Sequence, residues 1–322
     1  MSNAPSPEGR ATGNGQGSRI LLIGCGFIGS HIVKELAATS RSPVVLTRSY
    51  PEPVGELIAP SDLHLGEADD PEALSRALEG VDRVVFSAGG LLPTASEENP
   101  ELDESLTLDP LRAVLEALRA HPGVTFTYLS SGGTVYGNPT RLPAHEDDPA
   151  VPISSYGKLH LLCEQEIERH RAEHGLRSCI LRCSTVYGEY QEPDRGQGVI
   201  VTWLHRIRHG ETIQLRGGGT ARDYIYAGDV ARAVAGLLEV EDLPPVVNVG
   251  SGESTSLIEI LHLAEQQVGR TAAVKTEEEL GYEVHRIYLD TSRLHGAVEL
   301  EMTALPEGVA HTYRWLRDWE AE

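Results

Sequence analysis

A short apolar run, Ile20-Leu21-Leu22-Ile23, breaks at once into Gly24-Cys25-Gly26-Phe27-Ile28-Gly29, and apolar residues then recur at helical spacing at Ile28, Ile32, Val33 and Leu36. Strand, glycine loop and helix in direct succession leave such a chain few options. The tight turn suits Gly24, a side chain at Gly26 would keep a ligand away from the backbone, and Gly29 lets helix and strand pack closely. The helix N-terminus offers unpaired amide donors and the positive end of its dipole in front of that loop, an arrangement suited to a dinucleotide pyrophosphate. Gly24, Gly26, Phe27, Ile28 and Gly29 are therefore expected at a cofactor.

The pattern continues as alternation. Strand-sized apolar runs at Val44-Val45-Leu46, Arg83 to Phe86, Thr125 to Leu129 and Cys179-Ile180-Leu181 are separated by helical patterns over Pro71 to Leu78, Pro110 to Ala120 and Ser155 to His174. Strands buried on both faces with helices between them imply a parallel sheet, so the fold class is α/β, a doubly wound sheet of Rossmann type. From Glu189 to Gly219 the alternation breaks up, and helix, strand and helix return at Asp229 to Leu238, Val246 to Val249 and Ser256 to Val268. This predicts a dinucleotide-binding domain over residues 19–184 and a smaller substrate lobe over 185–322, with some C-terminal segments returning to the first domain. Residues 1–18, poor in apolar side chains, read as a disordered leader.

Charge excludes several partners. The 322-residue chain carries 27 Lys and Arg against 48 Asp and Glu, a net −21, which repels nucleic acid and anionic membrane surfaces alike. No apolar run approaches the length of a membrane span. Cys25, Cys163, Cys179 and Cys183 sit inside apolar patterns without metal-ligand spacing, so they are expected as buried free thiols, and no metal is expected. The absence of a signal sequence points to a cytoplasmic protein. His160, His170 and His174 read as solvated helix-surface residues unless chemistry claims them. Asp69-Asp70 and Asp147-Asp148 read as turns and helix caps. Ser130-Ser131 lacks the elbow context of an acyl-transfer nucleophile.

An NAD site usually places a carboxylate at the end of the second strand, to hold the adenine ribose. Here that position reads Leu46-Thr47-Arg48-Ser49. Arg48, helped by Thr47, suits a ribose 2′-phosphate, so NADP is favoured over NAD.

Five further segments occur in order: Leu129-Ser-Ser-Gly-Gly-Thr-Val-Tyr-Gly137, Pro152-Ile-Ser-Ser-Tyr156, Val186-Tyr-Gly188, Arg222-Asp-Tyr-Ile-Tyr-Ala-Gly-Asp-Val230 and Asn248-Val-Gly-Ser-Gly252. With the glycine loop they resemble the extended short-chain dehydrogenase/reductase family, in its UDP-glucose 4-epimerase-like nucleotide-sugar epimerase/dehydratase branch, over about residues 19 to 320. The resemblance implies a hydride shuttle. A tyrosine at the start of a long helix takes a sugar hydroxyl proton, a lysine four residues on lowers its pKa and holds the nicotinamide ribose, and a serine or threonine bonds the same hydroxyl. Tyr156 matches the tyrosine, but His160 stands at the lysine position. Lys158, two residues on, points to the far side of the helix, and the other lysines, Lys34 and Lys275, are distant in sequence. Gly132 falls at the usual hydroxyl position, leaving Ser131 or Thr134 to supply one, and Thr107 replaces a family asparagine.

The replacement has an electrostatic cost. A tyrosine titrating near ~10 is phenolate in only about one molecule per thousand at neutral pH, and each unit of depression requires ~1.4 kcal/mol. A fixed ammonium provides that stabilisation and a neutral imidazole does not. His160 is thus either a ribose ligand and proton relay or a tolerated replacement in a site of altered or lost chemistry.

By the same resemblance Glu67 takes the place of an aspartate at the adenine amino group, and Ala68, Ala88, Gly89 and Ser130 are expected along the cofactor. Arg222 and Arg286 would clamp the diphosphate of a sugar nucleotide, as planar guanidinium groups do well. Tyr136, Thr185 (for a family asparagine), Val199 and Ile200 are expected at the substrate, and the helices around Pro110 to Ala120 and Ser155 to His174 would form a homodimer. Three functions are consistent with these residues: a nucleotide-sugar epimerase, a reductase or dehydratase of the same superfamily, and a dinucleotide-binding regulator without turnover.

Overall fold

The computed structural model describes residues 18–193, 198–217, 219–277, 281 and 283–321, so the leader expected over residues 1–18 lies outside it but for Ser18. The chain runs β1 (Ile20–Ile23), α1 (Phe27–Ala38), β2 (Val44–Thr47), β3 (Leu63–Leu65), α2 (Pro71–Ala77), β4 (Arg83–Phe86), α3 (Pro93–Glu98) and α4 (Pro100–Leu118). There follow β5 (Thr125–Ser131), α5 (Gly132–Val135), α6 (Ser155–His174), β6 (Arg177–Cys183), β7 (Thr185–Tyr187), α7 (Val199–His209), β8 (Thr212–Arg216), β9 (Ala221–Arg222) and β10 (Tyr224–Tyr226). The remainder is α8 (Ala227–Leu237), β11 (Val246–Val249), β12 (Thr255–Ser256), α9 (Leu257–Val268), β13 (Ala273–Glu277), α10 (Ser292–Ala297) and α11 (Leu305–Trp319).

Seven strands form one sheet in the order β11-β6-β5-β4-β1-β2-β3, every pairing parallel. The order reverses between β1 and β4, so the crevice at the C-terminal strand ends beside the glycine loop is the place for a ligand. Alternate residues of each strand feed two cores. Ile20 and Leu22 pack with α1 and α8 on one face, and Leu21 and Ile23 pack with α2, α4 and α6 on the other. That two-sided burial is why the strands read as continuous apolar runs.

Three sequence expectations change. β3 was not foreseen, because three residues interrupted by His64 are too short for a periodic signal, and Arg83 to Phe86 is therefore the fourth strand. Pro110 does not open a helix. It lies inside α4, whose first turn is taken by Pro100; Pro favours a first turn, and this helix has two candidates for it. The segment read as irregular contains α7 and β8, the former opening on a β-branched run, Val199-Ile200-Val201, that hides its helical face.

α7, α9 and α11 enclose a third core of Ile200, Trp203, Leu204, Ile213, Leu261 and Leu316, the apolar centre of a small lobe. β11 and α8 return to the large sheet and its core. Asp70 caps α2 by accepting from the amides of Glu72 and Ala73, the capping role expected of it. The four cysteines are buried and free. His160 and His170 are buried as well, contrary to the surface reading, because both lie on the inner face of α6. Among the described residues no helix is long and apolar enough to cross a membrane.

Candidate active site

The glycine loop is built as its chemistry demands. Gly24 has φ +90° and a β-carbon there would sit 2.5 Å from the Ala88 nitrogen, while one at Gly29 would sit 2.3 Å from the Gly24 carbonyl oxygen. A β-carbon at Gly26 would meet nothing within 4 Å, so the space in front of the α1 N-terminus is open to a ligand. The Gly24 amide donates to the Leu46 carbonyl, and the Gly66 amide to the Thr47 carbonyl. These bonds bring the ends of β1, β2 and β3 into line. Gly24, Thr47, Arg48, Glu67, Ala68, Ala88 and Gly89 thus share one edge of the sheet, with Arg48, Glu67 and Gly89 exposed and Thr47 and Ala68 buried. Phe27 and Ile28 are half-buried at the head of α1.

β5 delivers the next residues to the same edge. Its alternation turns Ser130 inward, where the hydroxyl donates to Glu164 at 2.6 Å, and Ser131 outward. Ser130 was expected at the cofactor; its side chain instead belongs to a buried carboxylate. Thr134 donates to the Ser131 hydroxyl at 2.8 Å. At Gly132 a β-carbon would lie 2.7 Å from the Arg182 carbonyl oxygen, so this backbone leaves no room for the serine usual at that position. Ser131 and Thr134 are the hydroxyls available here.

Tyr156 stands in the first turn of α6, half-buried. That helix end is held by Ser154, which caps the Gly157 amide at 3.1 Å, and by Glu97 of α3, which accepts from both the amide and the hydroxyl of Ser155. Sequence reasoning missed Glu97, which lies in a short helix without periodic signal. His160 packs edge-on against Tyr156, ring centroids 4.5 Å apart, and its Nδ1 pairs with the Tyr128 hydroxyl at 2.9 Å. Burial pushes the His160 pKa down to about 4, against the pull of Glu164 and Asp103, so the imidazole is neutral at neutral pH. Burial also pushes the Tyr156 phenol above its ordinary value, and the Asp103 carboxylate adds to that. Lys158 is exposed on the far side of the helix. Asp103 is a second residue the sequence did not single out. Its Oδ1 accepts from the Leu91 amide at 2.7 Å and from Thr107 at 3.2 Å, and its buried Oδ2 has no hydrogen-bond partner among the described residues. Thr107 is engaged with Gly90 and Asp103 inside the fold.

Across the crevice the second lobe places Arg222 and Arg286 side by side. Ala221 bridges to Arg286, and the Arg222 guanidinium donates to the His285 carbonyl at 3.2 Å. Arg286 is exposed and bonds Ser254 at 3.1 Å. Thr185 lines the same crevice, its hydroxyl 3.7 Å from a β-carbon placed on Gly133. Two residues expected at the substrate point elsewhere. Tyr136 is buried, donating to Asn248 at 2.7 Å beneath the Arg182 guanidinium, and Ile200 is 1% exposed in the core of the small lobe. Core packing claims Ile200, and Asn248 and Arg182 hold Tyr136. Val199, half-buried, stays at the lobe surface.

The sequence model of the NAD dependent epimerase/dehydratase family matches residues 20–250. The chain belongs to this family. A putative UDP-glucose 4-epimerase of Methanocaldococcus jannaschii is 30% identical over 92% of this chain and 97% of its own length. A dTDP-4-dehydro-6-deoxyglucose reductase of Escherichia coli is 30% identical over 69% of this chain and 70% of its own. The Thermus thermophilus UDP-glucose 4-epimerase, solved in complex with NAD, superposes with a TM-score of 0.84 at 29% identity, covering 93% of this chain and 99% of that one. The Thermotoga maritima UDP-glucose 4-epimerase, solved with UDP-glucose, superposes at 0.87 with 26% identity over 94% and 99% of the two chains.

Within this epimerase/dehydratase fold the state of His160 is directly measurable. The unfolded chain binds a proton on this imidazole below about 6.5 and the folded chain not until about 4. Stability is therefore lost as pH falls through that window. Urea denaturation between pH 7 and pH 4 should show a smaller acid loss in His160→Gln than in the wild type, and the His160 imidazole NMR signals should not titrate above pH 5. An imidazole titrating near 6.5 would refute the neutral assignment.

Proposed function

We propose that this protein is a nucleotide-sugar epimerase that acts by transient oxidation with a bound NAD(P) and Tyr156 as the acid and base. The observation that carries the proposal is the convergence of Tyr156, Ser131 and the glycine loop on one sheet edge. The open space before Gly26 and the free amides of α1 fit a dinucleotide pyrophosphate, which Gly24, Gly26 and Gly29 would hold. When bound, the dinucleotide supplies the hydride acceptor and donor. Tyr156 takes the sugar hydroxyl proton and later returns it, Ser131 and Thr134 orient that hydroxyl, and Arg222 and Arg286 hold the diphosphate. The neutral His160 packs against Tyr156 and contributes no charge, so phenolate is scarce at neutral pH.

With UDP-, dTDP- and GDP-linked sugars as substrates, turnover should rise with pH above neutrality. Tyr156→Phe should lower it by about 10²-fold or more while dinucleotide affinity stays nearly constant. His160→Lys should move the rising limb to lower pH and raise the rate at pH 7. Dinucleotide binding without turnover of any sugar nucleotide, in the wild type as in both variants, would leave a regulatory binding protein instead.

A reductase is the second reading, favoured by Arg48 at the end of β2 and by the family's reductase members. We infer that the phosphorylated dinucleotide binds more tightly, since Arg48 is exposed beside the expected ribose site and the end of β2, Thr47-Arg48-Ser49, carries no carboxylate. Calorimetry should give NADP an advantage over NAD of about tenfold, removed by Arg48→Asp. Equal affinities would withdraw the preference. Net consumption of NADPH with a 4-keto sugar nucleotide would select the reductase.

We also propose a homodimer through α4 and α6, whose outer face exposes Leu102, Leu106 and Leu162. Exposed leucines clustered on two adjacent helices favour a partner surface. Light scattering at micromolar concentration should give twice the 34.9 kDa chain mass, and Leu162→Glu should return the monomer. A wild-type monomer would exclude this interface.

A further inference from the structure

At the opposite end of α7 from Val199, two histidines and a glutamate meet where α7 ends against the end of α11. His205 and His209 stand four residues apart and so share one face of α7, their rings 4.6 Å apart. Glu320, just past α11, reaches between them. Its Oε1 lies 2.6 Å from His205 Nδ1 and 3.2 Å from His209 Nε2. One ligand atom from each of the three side chains lies within 4.8 Å of the others.

We infer that His205, His209 and Glu320 form a binding site for a divalent ion of the zinc class, which fastens the C-terminal end of the chain to α7. Two imidazoles, which are borderline donors, with one carboxylate make a ligand set that suits Zn²⁺ rather than Mg²⁺ or Ca²⁺. Two ligands bonded to tetrahedral zinc at about 2.0–2.1 Å lie ~3.3 Å apart. The His209–Glu320 separation is already close to that value, the His205–Glu320 pair must open by about 0.7 Å, and the two imidazole nitrogens lie within 4.8 Å of each other. Glu320 is held for the purpose. Its side chain is only 10% exposed and its other oxygen, Oε2, sits 2.8 Å from Arg208 Nε, which leaves Oε1 as the ligand. The C-terminal end of α7 adds the negative pole of its dipole. Three protein ligands leave a fourth position for water. The inference does not depend on the epimerase reading, because none of these residues lies in the crevice.

The test is calorimetric titration of Zn²⁺ into the full-length chain after treatment with EDTA. The expected result is one saturable site per chain, weakened at least about tenfold in His209→Ala and again in Glu320→Gln. Both variants should fold, since His209 is nearly half exposed and glutamine retains the shape of glutamate; their helical circular dichroism checks this. Zn²⁺ should also raise the melting temperature of the wild type and not of the variants. Absence of saturable binding, or binding unchanged in both variants, would show that the cluster is only an ion-pair network and overturn the inference.

Discussion

A single buried ion pair decides where the reactive helix lies. Arg182 of β6 and Glu164 of α6 meet at 2.7 Å with side chains 8% and 3% exposed. Ser130 donates to the same carboxylate, and Arg182 also reaches the Glu146 carbonyl and covers the Tyr136 ring. Desolvating both charges is expensive, and a pair so buried holds only because its remaining lone pairs and protons are also bonded. Removing one partner of such a pair costs about 3–5 kcal/mol. Glu164 lies one helical turn beyond His160 and two beyond Tyr156, so the pair sets the rotation of α6 and with it the direction of both rings.

The same pair explains the electrostatics of the site. Arg182 is the buried cation behind α6, and its charge is spent on Glu164. What remains around Tyr156 is a neutral imidazole and the Asp103 carboxylate, which together with burial disfavour phenolate. An ammonium at position 160 would reverse that sign. The chain has instead packed a ring against Tyr128 and Tyr156, exchanging a fixed charge for aromatic contact.

The two lobes are joined by a small apolar cluster of Val135, Tyr136, Ala144, Val284, Ile287 and Leu289, and by buried polar contacts around it. Asn248 at the end of β11 accepts from Tyr136 and donates to the carbonyls of Ala144 and Asp290, while Glu146 accepts its amide. Asp223 gathers Ser184, Ser251, Gly252 and Leu289 in the same way. These buried acceptors align the segment carrying Arg222 with the ends of β6 and β11, so the diphosphate side of the crevice is held in register with the sheet edge.

Much of this was legible in the amino acids. Continuous apolar strands, the glycine loop and the helix Ser155–His174 follow from local periodicity and backbone sterics, which act over a few residues and leave their mark in the order of side chains. The resemblance of Pro152-Ile-Ser-Ser-Tyr156 to the family motif, not spacing by itself, singled out Tyr156 and the histidine four residues beyond it. Other features depended on contacts between distant segments. Only the tertiary structure gave Ser130 and Tyr136 their buried partners, Glu164 for the one and Asn248 and Arg182 for the other. It also closed Gly132 against Arg182, brought Asp103 and Glu97 to the reactive helix, and neutralised His160 by burying it. Whether a polar side chain faces solvent, a partner or a substrate is set by neighbours far away in sequence, and no local pattern records them.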